Sequence, residues 1–104
     1  MTFADNLRQL PSIAHLAALH LRDATGHVVA TIENKPGKAG SVAVYAALAA
    51  KHGRIDVAAA EEGLVLFAEH TAAARAHPGS HPNVDRLLAV IASGQGYDVE
   101  LVPV

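Results

Sequence analysis

Between Leu16 and Arg22 apolar and polar side chains alternate, so that Leu19 and Leu21 face one way and His20 and Arg22 the other. A period of two predicts a half-buried strand. Asp23-Ala24-Thr25-Gly26 reads as a turn, and the alternation resumes from His27 to Glu33 with Val28, Ala30 and Ile32 on one face. The two runs together predict a β-hairpin. Ahead of them, Phe3 to Leu10 has a helical tendency that Pro11 breaks. After them, Asn34 to Gly40 carries a proline and two glycines, and Ser41 offers an N-cap hydroxyl for whatever helix follows.

From Val42 the spacing becomes helical. Val42 to His52 is almost wholly Ala, Val, Leu and Tyr, with Gly53 at the expected stop. Having no polar face, this helix predicts cover on most sides from the sheet, another helix or a second subunit. Tyr45 on it is expected to be a core or interface aromatic. Asp56 caps a longer helix running to about Ala76, with Glu61 and Glu62 near its positive end and a buried stripe of Val57, Ala60, Leu64, Phe67 and Thr71. Gly63 costs that helix about 1 kcal/mol relative to Ala, which implies either tolerance or a close packing contact. His77 to Asn83 is a second breaker-rich segment, after which Val84, Leu87, Leu88 and Ile91 recur at helical spacing until Gly94. Tyr97 to Val102 alternates again and predicts a strand against the hairpin, ended by Pro103. The order ββαααβ predicts a single α+β domain over 1–104, a small antiparallel sheet with three helices packed on one face. The opposite face, with His20, Arg22, Thr31, Glu33, Asp98 and Glu100, is expected to meet solvent.

Composition narrows the function classes. At 51% hydrophobic and 17% charged, the chain is too apolar to be a disordered segment. A net charge of -2 leaves no basic surplus to neutralise phosphates, so nucleic acid is not expected as a partner. With no cysteine there is no disulfide framework and no thiol nucleophile, and any metal must use His and carboxylate. The longest apolar run, Val42 to Ala50, is less than half of the roughly 20 residues that a membrane-crossing helix needs. Asp5, Asn6 and Arg8 interrupt the N-terminal apolar positions, unlike a signal peptide, so the expected location is cytoplasmic.

Two segments carry candidate chemistry. In the first, Lys35, Gly37, Lys38, Gly40 and Ser41 precede a helix start, where free backbone N–H groups, a partial positive charge and two ammoniums make an anion pocket reasonable. Only two residues separate Gly37 from Gly40, so this is not the phosphate-binding GxxxxGK[ST] pattern. The plain alternative is a strand-to-helix connection with solvated lysines. In the second, Glu69, His70, His77, His81 and Asp85 are residue types that hold a divalent metal, with His77, His81 and Asp85 spaced four apart as the candidate ligands. Pro78 and Pro82 interrupt the helix between them, so they converge only if the loop curls. The alternative is that His77 serves the C-terminus of one helix while His81 and Asn83 help to start the next. Glu69 or Asp85 beside a histidine would also suit acid–base catalysis, although spacing alone does not show that any such pair meets.

The segment Glu33-Asn34-Lys35-Pro36-Gly37-Lys38-Ala39-Gly40-Ser41, with Val44-Tyr45, resembles part of a family of small bacterial proteins of about this length. The stretches Glu69-His70-Thr71, His77-Pro78-Gly79 and His81-Pro82-Asn83-Val84-Asp85-Arg86-Leu87-Leu88 resemble that family's second signature. It is a domain of unknown function, so the resemblance implies a bacterial single-domain protein and assigns no reaction or catalytic residue.

The function expected first is therefore a non-enzymatic module that binds a small anionic ligand or a protein partner. The second is a metal- or His/carboxylate-dependent enzyme. The third is a structural homo-oligomer without a ligand site. The mean hydropathy of +0.23 and the almost uncharged helix favour a homodimer.

Overall fold

The strand β1 (Leu16–Arg22) lies in the middle of a three-stranded antiparallel sheet, flanked by β2 (Val28–Glu33) and by the C-terminal β3 (Asp98–Pro103). This is a computed structural model, and it describes residues 1–104. Five helices complete the chain: α1 (Phe3–Arg8), α2 (Ala39–His52), α3 (Val57–Phe67), α4 (Glu69–Ala76) and α5 (Pro82–Ser93). The expected antiparallel α+β architecture is present, with five helices where the sequence predicts three.

In the sheet, Leu19 stands opposite Ile32 and Leu101, and Leu21 opposite Ala30 and Val99, so the apolar positions of three strands share one face. Helix α2 packs across all three strands and buries Val42, Val44, Tyr45 and Leu48 against them and against α3. The apolarity that asks for cover is thus largely met within the chain. On the other face the polar residues pair across strands: the Arg22 guanidinium lies 2.8 Å from Glu100, and His20 Nδ1 lies 2.8 Å from the Thr31 hydroxyl.

Several boundaries differ from the sequence reading, each for a local reason. The β1/β2 register slips between Leu21 and Arg22, which sets Val28 opposite Arg22 on the polar face, 44% exposed, instead of beside Ala30 and Ile32. Pro103 does not end β3 before itself but pairs with Leu16 as the strand's last residue. It is tolerated because β3 is an edge strand and needs no N–H on its outer side. Tyr97 leaves the strand to form an isolated bridge with Ile55.

The long helix from Asp56 is the larger correction. Asp56 caps it as expected, its carboxylate accepting the Ala59 N–H at 2.8 Å, but the helix breaks at Ala68, whose φ of 50° and ψ of -116° make it the only non-glycine residue with positive φ. No glycine or proline marks the break. What stabilises it is tertiary: the Thr71 hydroxyl donates to the Leu64 carbonyl at 2.6 Å, and the Asn6 side-chain amide donates to the Leu66 carbonyl at 2.9 Å. These bonds occupy carbonyls that a continuous helix would pair with its own amides. The expected stripe survives in part, with Ala60, Phe67 and Thr71 buried and Val57 and Leu64 half-buried.

Gly63 is explained by contact. A Cβ there would lie 2.6 Å from Leu87 Cδ1 and 2.9 Å from Leu48 Cδ1, so α3 approaches α2 and α5 more closely than any larger residue permits. Both leucines are fully buried.

Candidate functional site

Helix α2 begins three residues earlier than its apolar run. Lys35 accepts through its carbonyl from the amides of Lys38 and Ala39, both at 2.9 Å, and this turn starts the helix at Ala39. Lys38 is therefore the N-cap and Ser41 lies inside the first turn, correcting the expectation that Ser41 caps. Gly40 sits where α1 crosses: a Cβ on it would lie 2.9 Å from Phe3 Cζ and 3.3 Å from Leu7 Cδ1. The glycines of this loop thus do different work, Gly37 turning the chain at φ 86° and Gly40 admitting an aromatic ring.

Helix α5 begins in a similar way. His81 is its N-cap, Pro82 follows at its first position, and no side chain caps it. Its start is fixed to α2 by the Tyr45 hydroxyl, which donates to the Asn83 carbonyl at 2.6 Å, and Asn83 Oδ1 holds the Arg86 guanidinium at 2.7 Å. Burial pushes the Tyr45 phenol up to about 12, with Arg86 nearby acting in the opposite direction.

Between these two helix starts lies a cleft of about 650 Å³. Gly37, Lys38, Gly40 and Ser41 line one side, and Ser80, His81, Asn83 and Arg86 the other. Phe3 and Leu7 of α1, Phe67 of α3, Val84 of α5 and Ile32 of β2 supply its apolar part. Phe3 stacks on Phe67 at 5.3 Å between centroids and meets the edge of His70 at 4.7 Å; the His70 and His81 rings lie 4.7 Å apart. Although the chain has ten Asp and Glu, none lines the cleft, whereas Lys38, Arg86, His70 and His81 all do. The lining is cationic within a chain of net charge -2.

The fold thus joins most of one sequence candidate to part of the other. Of the five loop residues, Lys35 alone stands outside, its ammonium 2.8 Å from Glu33 and both groups largely exposed. That pairing holds the Glu33 carboxyl below and the Lys35 ammonium above their ordinary ranges. From the histidine segment the cleft receives His70 and His81. His77 is exposed at the end of α4, where its carbonyl accepts the Ser80 hydroxyl at 2.7 Å, and Asp85 turns to the Gly79 N–H at 2.9 Å. The trio His77, His81 and Asp85 is not assembled, and no three His, Asp or Glu side chains are grouped to hold a metal ion. Pro78 and Pro82 carry the chain between helices and separate the three residues. Glu69 is likewise committed to the main chain: it accepts the Phe3 N–H at 2.8 Å, the main cause that lowers its pKa.

Sequence reasoning missed Arg86, Phe3, Leu7 and Phe67 as site residues. Phe67 reads from spacing as core, and Phe3 as part of a loose leader. Arg86 has no local signal, because only the Tyr45–Asn83 contact shows which way the first turn of α5 faces.

A family model described as an uncharacterized protein conserved in bacteria (DUF2322) matches residues 3–101. No curated protein and no solved structure matches the chain. No helix is long and apolar enough to cross a membrane.

Proposed function

The chain belongs to that bacterial family, for which no activity is defined, and from the geometry we propose that it is a non-enzymatic module holding a small anionic ligand in the cleft between the starts of α2 and α5. The observation that carries this reading is a concave lining with Lys38, Arg86, His70 and His81 and no carboxylate. An anion there meets two permanent cations, and while the Ala39 and Val84 amides are paired with the Lys35 and His81 carbonyls, those of Gly40, Ser41 and Asn83 have no side-chain cap competing for them. The volume lies in the range of small-molecule sites, about 300–1,000 Å³. A catalytic reading has less support, since Glu69 and Asp85 accept hydrogen bonds from main-chain amides outside the histidine pair. An acidic segment of a protein partner would use the same charges.

The test is thermal unfolding with inorganic phosphate against chloride at matched ionic strength. Phosphate is expected to raise the melting temperature, and Lys38→Ala and Arg86→Ala each to reduce the rise. Lys35→Ala is the control, because that lysine pairs with Glu33 outside the cleft. A phosphate effect that survives both substitutions would count against the reading.

The homodimer belongs to the same proposal on a narrow basis: Val28 and Val29 are neighbouring exposed residues on the edge strand β2. Sedimentation showing only monomer at micromolar concentrations would remove it.

A further inference from the structure

The cleft has two parts of different chemistry, and inorganic anions would use only one of them. Its cations come from the α2 start and from α5, whereas Phe3, Leu7 and Phe67 form an apolar floor brought in by α1 and α3. That floor is built with specific concessions. Gly40 gives up a side chain so that Phe3 fits, its missing Cβ position lying 2.9 Å from the ring. Glu69 and Asn6 fasten α1 at both ends of the Ala68 break, through the Phe3 N–H and the Leu66 carbonyl. Phe3 and Leu7 nevertheless remain partly exposed on the cleft. A short helix held by polar ties, with its aromatic and branched side chains still facing an open space, is surface that an apolar ligand body would cover.

We infer that the ligand is an organic oxyanion with an apolar body, its head group held by Lys38 and Arg86 and its body lying on Phe3, Leu7 and Phe67. This rests on the anion-binding reading above and adds the class of ligand. Charge complementarity fixes the head, since no carboxylate in the lining opposes it. Contact with the apolar floor makes the body contribute to affinity, at about 25 cal/mol for each Å² of apolar surface covered. Covering one face of a phenyl ring corresponds to about a tenfold gain over the bare head group.

Calorimetric titration with matched pairs of probes tests the assignment: phenyl phosphate against inorganic phosphate, and benzoate against acetate. The expected result is that the aryl member of at least one pair binds about tenfold or more tightly than its partner. Leu7→Ala should lower the ratio of aryl to bare head-group affinity toward one, and Gly40→Ala, by displacing Phe3, should lower the same ratio. Leu7→Ala keeps the test open if Gly40→Ala fails to fold. Equal affinities within both pairs would overturn this inference and leave the anion site standing. Binding of none of the four probes would overturn both.

Discussion

The Tyr45 phenol oxygen lies 2.6 Å from the main-chain carbonyl oxygen of Asn83, joining the middle of α2 to the first turn of α5 across 38 positions of sequence. Because those helices carry the two polar sides of the cleft, this bond sets their spacing. Tyr45→Phe removes the donor and keeps the ring, so a loss of about 1 kcal/mol is expected. Denaturant unfolding measures it, and phosphate affinity should fall as well; an unchanged stability would show that the bond contributes nothing.

The same burial makes stability depend on alkaline pH. The folded phenol, pushed up to about 12 from an ordinary 10.0, keeps its proton where the unfolded chain loses it. The contribution is therefore complete below pH 10 and declines as pH rises to about 12, by roughly 3 kcal/mol in all. Tyrosinate absorbance in Tyr97→Phe, where Tyr45 is the remaining tyrosine, should show a midpoint near 12. A midpoint near 10 with the protein still folded would contradict the burial argument.

Gly63→Ala sets two effects against each other. Alanine favours the helix by about 1 kcal/mol, but its methyl must displace the ends of Leu87 and Leu48, which are both fully buried. Overpacking of this kind costs about 1–3 kcal/mol, so a net loss of about 1 kcal/mol and a lower melting temperature are expected. An increase in melting temperature would mean that the three helices separate easily at this point.

Ala68→Gly should act in the opposite direction. A residue with a Cβ at φ 50° and ψ -116° is strained by about 1–3 kcal/mol, and glycine relieves this while adding some freedom to the unfolded chain. A net gain of about 1 kcal/mol, or roughly 4–8 °C, is expected in thermal unfolding. A loss would show that the break is not strained.

The tie between Glu69 and the Phe3 amide is sensitive to acid. Hydrogen bonding to that N–H lowers the folded carboxyl pKa, so the tie is present above the ordinary Glu range and is lost as pH falls through the lowered value. Amide exchange in α1, measured relative to its intrinsic rate at each pH, should accelerate on acidification before the core opens. Glu69→Ala should give the same local acceleration at neutral pH, and protection unchanged in that variant would exclude the tie.

The sequence by itself determined the elements whose signals are local. Alternation placed Leu19 and Leu21 inside, Asp56 and Gly94 marked helix ends, and the chain order of strands gave an antiparallel sheet. It also singled out Gly37, Lys38, Gly40 and Ser41, because glycines and lysines before a helix are a local pattern. The tertiary structure decided the rest. The break at Ala68 has no local breaker and exists because Asn6 and Thr71 occupy carbonyls that the helix gives up. His70 and His81 meet because α4 ends and the chain reverses between them, a relation that no fixed spacing encodes. Arg86 joins Lys38 because a buried phenol links α2 to α5. Periodicity records which face of an element is apolar, but which polar residues share a cleft depends on contacts between elements far apart in the chain.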